Sequence, residues 1–213
     1  MSLTRSQVVD VAVDLVRRYG LADLSMRRLA RELGVAPGAI YWHVDSKQTL
    51  IVEVADVLLG AIGDSRPDLP PVEAVAWLAS ALRDAVAGVP DGADVIGVAC
   101  AVDPESIRPL RELSRAVGRL VTAPAERDAV VEVIVHHVLG SVAAEQNRRS
   151  ARALDASDQD AADPGRAASA SVAVKSFEAG LAVILAGAVA LTAPSTDGSA
   201  GRFRPRPAPS PEG

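Results

Sequence analysis

The chain has 213 residues, 49% of them apolar, which is enough to bury a substantial core as one or two domains and too much for a wholly disordered polymer. Its single cysteine, Cys100, excludes an intrachain disulfide and a cysteine-rich zinc site, and the first ten residues lack the apolar stretch of a secretory signal, so a cytoplasmic protein is expected. The net charge of −5 excludes a uniformly basic surface, but residues 1–47 carry seven Lys or Arg against five Asp or Glu, leaving 15 against 22 in the remainder, so polyanion contact is expected only at the front.

Thr4 with Gln7 three residues later forms a capping box, and behind it Val8, Ala12, Leu15 and Tyr19 recur at helical spacing until Gly20 offers a stop. That predicts a first helix. Ser25 caps a second, short one with Met26, Leu29, Ala30 and Leu33 on one face and Gly34 at its end. Pro37 suits the first turn of a third helix, through Ile40 to about His43, because its missing N–H has no partner to lose there. Asp45 with Gln48 makes a second capping box, opening a longer helix to about Gly63 in which Leu50, Val54, Val57, Leu58 and Ile62 are apolar.

After the break GDSRPDLPP, helical patterns resume over 72–87, 93–101, 105–121 and 125–149. Residues 151–171, ARALDASDQDAADPGRAASAS, are small and polar without periodicity and read as a flexible loop before a last helix at 172–191. Residues 193–213, rich in Pro, Gly and Ser, read as a disordered tail. The longest apolar run, 179–193, falls short of the ~20 residues of a membrane span, so a buried helix and no membrane partner are expected. No segment alternates as a strand would, and the fold class is all-α.

Two short helices joined by a tight turn at Gly34 make a helix-turn-helix, whose second helix lies in a major groove with its N-terminal residues at the base edges. On that reading Tyr41 and His43 reach sugar-phosphate, Trp42 wedges the short helix while touching the backbone or a thymine methyl, and Lys47 meets a phosphate at the start of the fourth helix. The alternative makes Tyr41 and Trp42 core aromatics and leaves His43 at a solvent-facing end. The pair His136 and His137 is the one candidate for catalytic or metal chemistry, but neighbours on a helix point about 100° apart and cannot share an ion, so neither an enzyme nor a metal site is expected. A helical-bundle interaction protein without specific DNA binding would have lost its cations at the front, and Arg27, Arg28, Arg31 and Lys47 remain.

The stretch LSMRRLARELGVAPGAIYWHVDSKQTL, with its Leu-Gly-Val turn, its Tyr-x-His and the following Lys47, resembles the DNA-binding domain of the TetR family of bacterial transcriptional regulators over about residues 4–60. LGSVAAEQ at 139–146 and FEAGLAVILAG at 177–187 are similar to the dimerising helices of the branch that contains the tetracycline repressor. The resemblance implies a homodimer, with a helix-turn-helix domain at 1–46 that binds palindromic double-stranded operator DNA and a helical domain at 47–192 for dimerisation and a small-molecule inducer. It places Arg27 where a base is read from the second helix and counts Ser25, which caps that helix, among the DNA-binding residues. It also sets Pro37, Gly38 and Ala39 at the tip of the recognition helix and Tyr41, Trp42, His43 and Lys47 on the DNA backbone. Pro37, Gly38 and Ala39 carry no side-chain donor, so readout falls to Arg27, to methyl contact from Ala39 and to DNA shape.

Tetracycline-binding members hold a drug-bound magnesium through histidines, and Gly63 and Ile96 stand at the matching positions, so the resemblance leaves this chain no metal or other cofactor. The implied inducer is a largely apolar molecule against Leu58, Ile62, Trp77, Leu82, Ile96, Ile107, Ile134 and His137. Val131, Val135, Val138, Val142, Leu181, Ile184 and Leu185 are expected to form the apolar face between two copies.

Overall fold

A computed structural model of the chain describes residues 3–64, 67–155 and 164–191, and among them no strand occurs. The helices are α1 (Arg5–Tyr19), α2 (Met26–Leu33), α3 (Pro37–Ile40), α4 (Lys47–Leu59), α5 (Ala61–Asp64), α6 (Pro71–Ala87), α7 (Gly92–Val102), α8 (Arg108–Gly118), α9 (Pro124–Asp155) and α10 (Pro164–Ala190), with one 3-10 turn at Pro104–Ser106.

Local chemistry sets the early boundaries. Thr4 Oγ1 accepts from the Gln7 N–H at 3.3 Å while Gln7 Oε1 accepts from the Thr4 N–H at 2.9 Å, and Ser25 Oγ accepts from the Arg28 N–H at 3.2 Å. Gly34 sits at φ +67, in the left-handed region that ends a helix most cheaply when no Cβ is present. The fourth helix differs from expectation: its cap is Ser46, whose Oγ accepts from the Thr49 N–H at 3.0 Å, and not Asp45. The helix expected over 105–121 breaks at Ile107, whose extended backbone separates the 3-10 turn from α8.

The expected loop at 151–171 is helical at both described ends, since α9 continues to Asp155 and α10 starts at Pro164. Alanine-rich sequence favours helix by propensity even where no apolar stripe marks it, and proline is tolerated in a first turn. Residues 156–163 of that loop, and the tail at 193–213, lie outside the described residues.

One continuous cluster of buried side chains runs through the molecule. Val8, Ala12, Leu15, Leu29, Ile40 and Val44 gather α1–α3, while Leu50, Ile51, Val54, Ala55 and Leu59 make α4 common to that core and to the one below it. Arg5 on α1 is paired with Glu53 on α4 at 2.6 Å. A second contact crosses between the halves: the Leu21 N–H donates to Asp91 Oδ2 at 3.2 Å. Asp91 holds φ +51, and Gly20 at φ +76 makes room for it, because a Cβ there would lie 2.2 Å from Asp91 Oδ2.

Within the lower half, α6, α9 and α10 are joined by a buried ion group. Arg83 Nη2 donates to Glu145 Oε2 at 2.6 Å, Arg149 pairs with the other carboxylate oxygen, and the Arg83 guanidinium lies 5.5 Å from the centre of the Phe177 ring. Beside it, His137 stacks on Phe177 at 5.0 Å and its Nε2 is 2.9 Å from the Phe177 carbonyl oxygen. Only a glycine fits opposite, since a Cβ on Gly180 would come within 2.4 Å of the imidazole.

The last helix corrects the expectation drawn from the run at 179–193. Over Ser171–Ala190 it reaches 20 residues at mean hydropathy 1.8, long and apolar enough to cross a membrane, because the helix extends upstream through a stretch that holds just two charges, Lys175 and Glu178. Of its most apolar 18 residues 28% are buried within the chain. Ala173, Phe177, Leu181, Leu185 and Ala188 turn inward, whereas Val172, Val183, Val189 and Leu191 are exposed, as is Val133 on α9.

Candidate nucleic-acid interface

The helix-turn-helix is anchored from behind. Leu29 and Ala30 of α2, Ile40 of α3 and Val44 just after it are buried, and this fixes the outward direction of everything between them. Tyr41 is 53% exposed and Trp42 88% exposed. The core-aromatic alternative therefore fails, and so does the expected wedge by Trp42, which lies against little of the protein. Indole and phenol rings that a core does not bury present apolar area and a polar edge to whatever docks outside.

Around these rings lie Pro37 and Gly38, both exposed, and Ala39 and His43, both half-buried. A Cβ at Gly38 would meet nothing within 4 Å, so the fold itself sets no demand for glycine there. Ser25, the cap of α2, and Arg27 within it are exposed, and Lys47 is the first residue of α4, half-buried beside its capping Ser46. Arg27, Arg31 and Lys47 form no ion pair among the described residues, whereas Arg28 is paired with Asp23 and sits 4.1 Å over the Tyr19 ring. Arg28 is thus part of the packing, although its place in the sequence groups it with the free cations.

The eight residues expected around an inducer are spread through the lower core. Ile62, Leu82, Ile96, Ile107 and Ile134 are buried, Leu58 and Trp77 pack half-buried against the same core, and His137 is held by Phe177. None of them lines the open cavity of ≈ 510 Å3 bordered by α7, the 3-10 turn, α8 and α9. Its walls are instead Gly97, Cys100, Leu110, Val131, Val135 and Leu139, with Glu105, Glu132 and His136 among the polar residues. On α9 the difference between Ile134 or His137 and Val135 or His136 is one residue, about 100° of rotation. The signal that could have found the lining is the four-residue spacing of Val131, Val135 and Leu139.

Burial pushes the Cys100 thiol up to about 11, so it stays protonated through neutral pH. Its alkylation by iodoacetamide at pH 8, followed by mass spectrometry on folded protein, is expected to run on the order of a hundredfold slower than that of a free cysteine. A rate equal to the free thiol's would place Cys100 in water.

The family model described as "Bacterial regulatory proteins, tetR family" matches residues 8–54. The crystal structure of BioQ from Mycobacterium smegmatis is 32% identical, with a TM-score of 0.73 over 89% of this chain and 99% of that one. A structure of BioQ with its double-stranded DNA operator is also 32% identical, at a TM-score of 0.70, covering 88% of this chain and 99% of that one. The class D tetracycline repressor of Escherichia coli is 37% identical over 57 residues, which are 27% of this chain and 26% of the repressor.

Proposed function

The chain belongs to the TetR family of bacterial regulators, and from that membership we propose that it is a cytoplasmic transcriptional repressor that grips a palindromic double-stranded operator as a homodimer and lets go when a small molecule binds. The observation that carries the reading is the exposure of Tyr41 and Trp42 on a helix-turn-helix flanked by Arg27 and Lys47, cations with no ion-pair partner among the described residues. The backbone of α3 can approach a groove closely at Gly38, Tyr41 and His43 reach sugar-phosphate, and Lys47 adds its charge to the N–H groups at the start of α4, a place that suits a phosphate. BioQ, which this chain covers almost end to end, has been solved on its operator. No constellation among the described residues calls for a catalytic role.

Selecting bound fragments from random DNA and measuring affinity by fluorescence anisotropy at several salt concentrations tests the reading. Specific binding is expected, and Lys47→Ala should weaken all sequences alike and flatten the salt slope by about one unit per subunit. Binding that never distinguishes the selected fragment from random DNA would remove the function.

Two copies are expected to meet through the outward faces of α9 and α10. Most of the residues expected on that face serve their own chain: Val138, Val142, Leu181 and Leu185 are buried within it, and Val131 and Val135 line the cavity. What faces outward is Val133 with Gly140 on α9, and Val172 and Val183 with Gly187 on α10, and nothing stands within 4 Å of a Cβ at either glycine. A second copy can lay its helices closely there and cover the apolar length that α10 leaves open. Light scattering should give twice 22.0 kDa for the chain and a single mass for Val183→Glu. A monomer in the unaltered chain would defeat the assignment.

Control runs through α4. It begins at Lys47, and near its other end Asp56 Oδ1 accepts from the Arg108 N–H at 2.7 Å while the Arg108 side chain donates to the Gly60 carbonyl. Pro104 and Glu105, just before that clasp, line the cavity. A ligand that shifts this segment tilts α4 and changes the spacing of two recognition helices that must stay about one DNA turn, ~34 Å, apart. Linkage then requires operator DNA to weaken ligand binding by the same factor. With Gly63 and Ile96 where a chelate would need ligands, release should require no magnesium.

A further inference from the structure

The cavity between α7, α8 and α9 carries two parallel rows of side chains from α9, each at four-residue spacing. One is Val131, Val135 and Leu139, half-buried and continuous with buried Leu110; the other is Asp128, Glu132 and His136, exposed at the mouth. Glu105, from the 3-10 turn, brings a third exposed carboxylate to the same opening. The interior is therefore apolar and the entrance acidic.

Little of this acid is answered among the described residues. None of the lining residues is Lys or Arg. Asp128 is paired with Arg127 at 3.0 Å, and Arg111 donates to the backbone carbonyl of Glu105 and leaves its carboxylate alone. The carboxylates of Glu105 and Glu132 have no ion-pair partner among the described residues. Asp128 and Glu132 stand one turn apart on a helix, an arrangement of like charges that weakens it. A metal ion is a poor answer to that charge, because no group of three His, Cys, Asp or Glu among the described residues is arranged to hold one.

We propose that the cavity takes an amphipathic organic cation. Its apolar body lies against Leu110, Val131, Val135 and Leu139, and its positive centre sits at the mouth facing Glu105 and Glu132. The inference rests on reading this cavity as the effector site and adds the charge of the ligand to it. A volume of ≈ 510 Å3 lies within the range of sites for drug-sized molecules, and such sites are mostly apolar with a few polar groups that fix orientation. Because both carboxylates are exposed in the single chain, each contributes a screened and modest share, and the sign of the ligand's charge is selected by their sum.

Tetraphenylphosphonium and tetraphenylborate, equal in shape and opposite in charge, separate the contributions. Isothermal titration of the full chain is expected to show the phosphonium binding and the borate at least about tenfold weaker. Glu105→Gln and Glu132→Gln should each weaken the phosphonium by about threefold and narrow its advantage over the borate, with no loss of thermal stability. Leu139→Trp, which fills the cavity, should remove binding of both. Equal or tighter binding of the borate, no binding of either probe, or an unchanged ratio in the double glutamine variant would overturn the proposal. Release from the selected DNA is measured separately. Phosphonium binding that follows the carboxylates without releasing DNA keeps the ligand class and defeats control by this site. Release by an anionic compound that competes for the cavity does the reverse.

Discussion

Glu145→Ala is expected to cost the fold about 3–5 kcal/mol, because it strands a buried guanidinium. The carboxylate is 8% exposed and receives Arg83 on one oxygen and Arg149 on the other. Without it Arg83, 5% exposed, stays among α6, α9 and α10 with the solvent-facing Asp84 at 3.2 Å and the face of Phe177 as its remaining company. Its Nε is already buried without a hydrogen-bond partner among the described residues. Replacing both partners at once, Arg83→Met with Glu145→Leu, should come out near neutral, since two well-packed apolar side chains remove the desolvation cost along with the attraction. Urea unfolding at fixed protein concentration, with the slope unchanged, measures both. A single variant no less stable than the double one would mean that Arg83 finds water on its own.

Arg27→Ala is expected to lose about 1–3 kcal/mol of operator affinity in each half-site, and so about 2–6 kcal/mol for a dimer whose half-sites act independently. Its neighbour supplies the contrast. Arg28 is held by Asp23 and the Tyr19 ring, while Arg27 is exposed on the same short helix with no ion-pair partner among the described residues. With Pro37, Gly38 and Ala39 offering no side-chain donor, a guanidinium is the group nearby that can make two parallel hydrogen bonds to a guanine edge. The loss should concentrate at one base pair per half-site, read by competition with singly substituted operators. Equal losses on operator and random DNA would reassign Arg27 to a phosphate.

The front of the molecule was legible because its signals are local. Thr4 with Gln7, Ser25 and Gly34 each act within four residues of themselves, and the structure uses each as a cap. Where two neighbours can do the same task the sequence is ambiguous, as with Asp45 and Ser46, which both precede a helix by a residue or two. The outward direction of Trp42 depends on Ile40 and Val44 facing the core, a property of tertiary packing that adjacency of aromatic residues does not carry. The cavity was less legible still. Which of Ile134, Val135, His136 and His137 faces it depends on the rotation of a long helix against its neighbours, and the apolar pattern of α9 continues around more than one face. The buried Arg83–Glu145 pair lies 62 positions apart in sequence, with nothing at either end to announce the other.

The hydrogen bond from the Leu21 N–H to Asp91, made possible by the bare α-carbon of Gly20, bears on how the front of the molecule can turn. A body joined to its support at one place swivels about three axes, like a ball in a socket. Joined at a second place it is left with one, along the line through both. In this chain the first joint is α4, on which α1–α3 pack, and the second is the loop before α7. The packing of α1 on α4, with its Arg5–Glu53 pair, is the broad joint, and an excursion of the helix-turn-helix that also keeps the contact at Asp91 is confined toward a swing about the line through both. Severing the second, by Asp91→Ala, removes that guide and leaves the α1–α4 packing and the Arg5–Glu53 pair as the front's remaining hold.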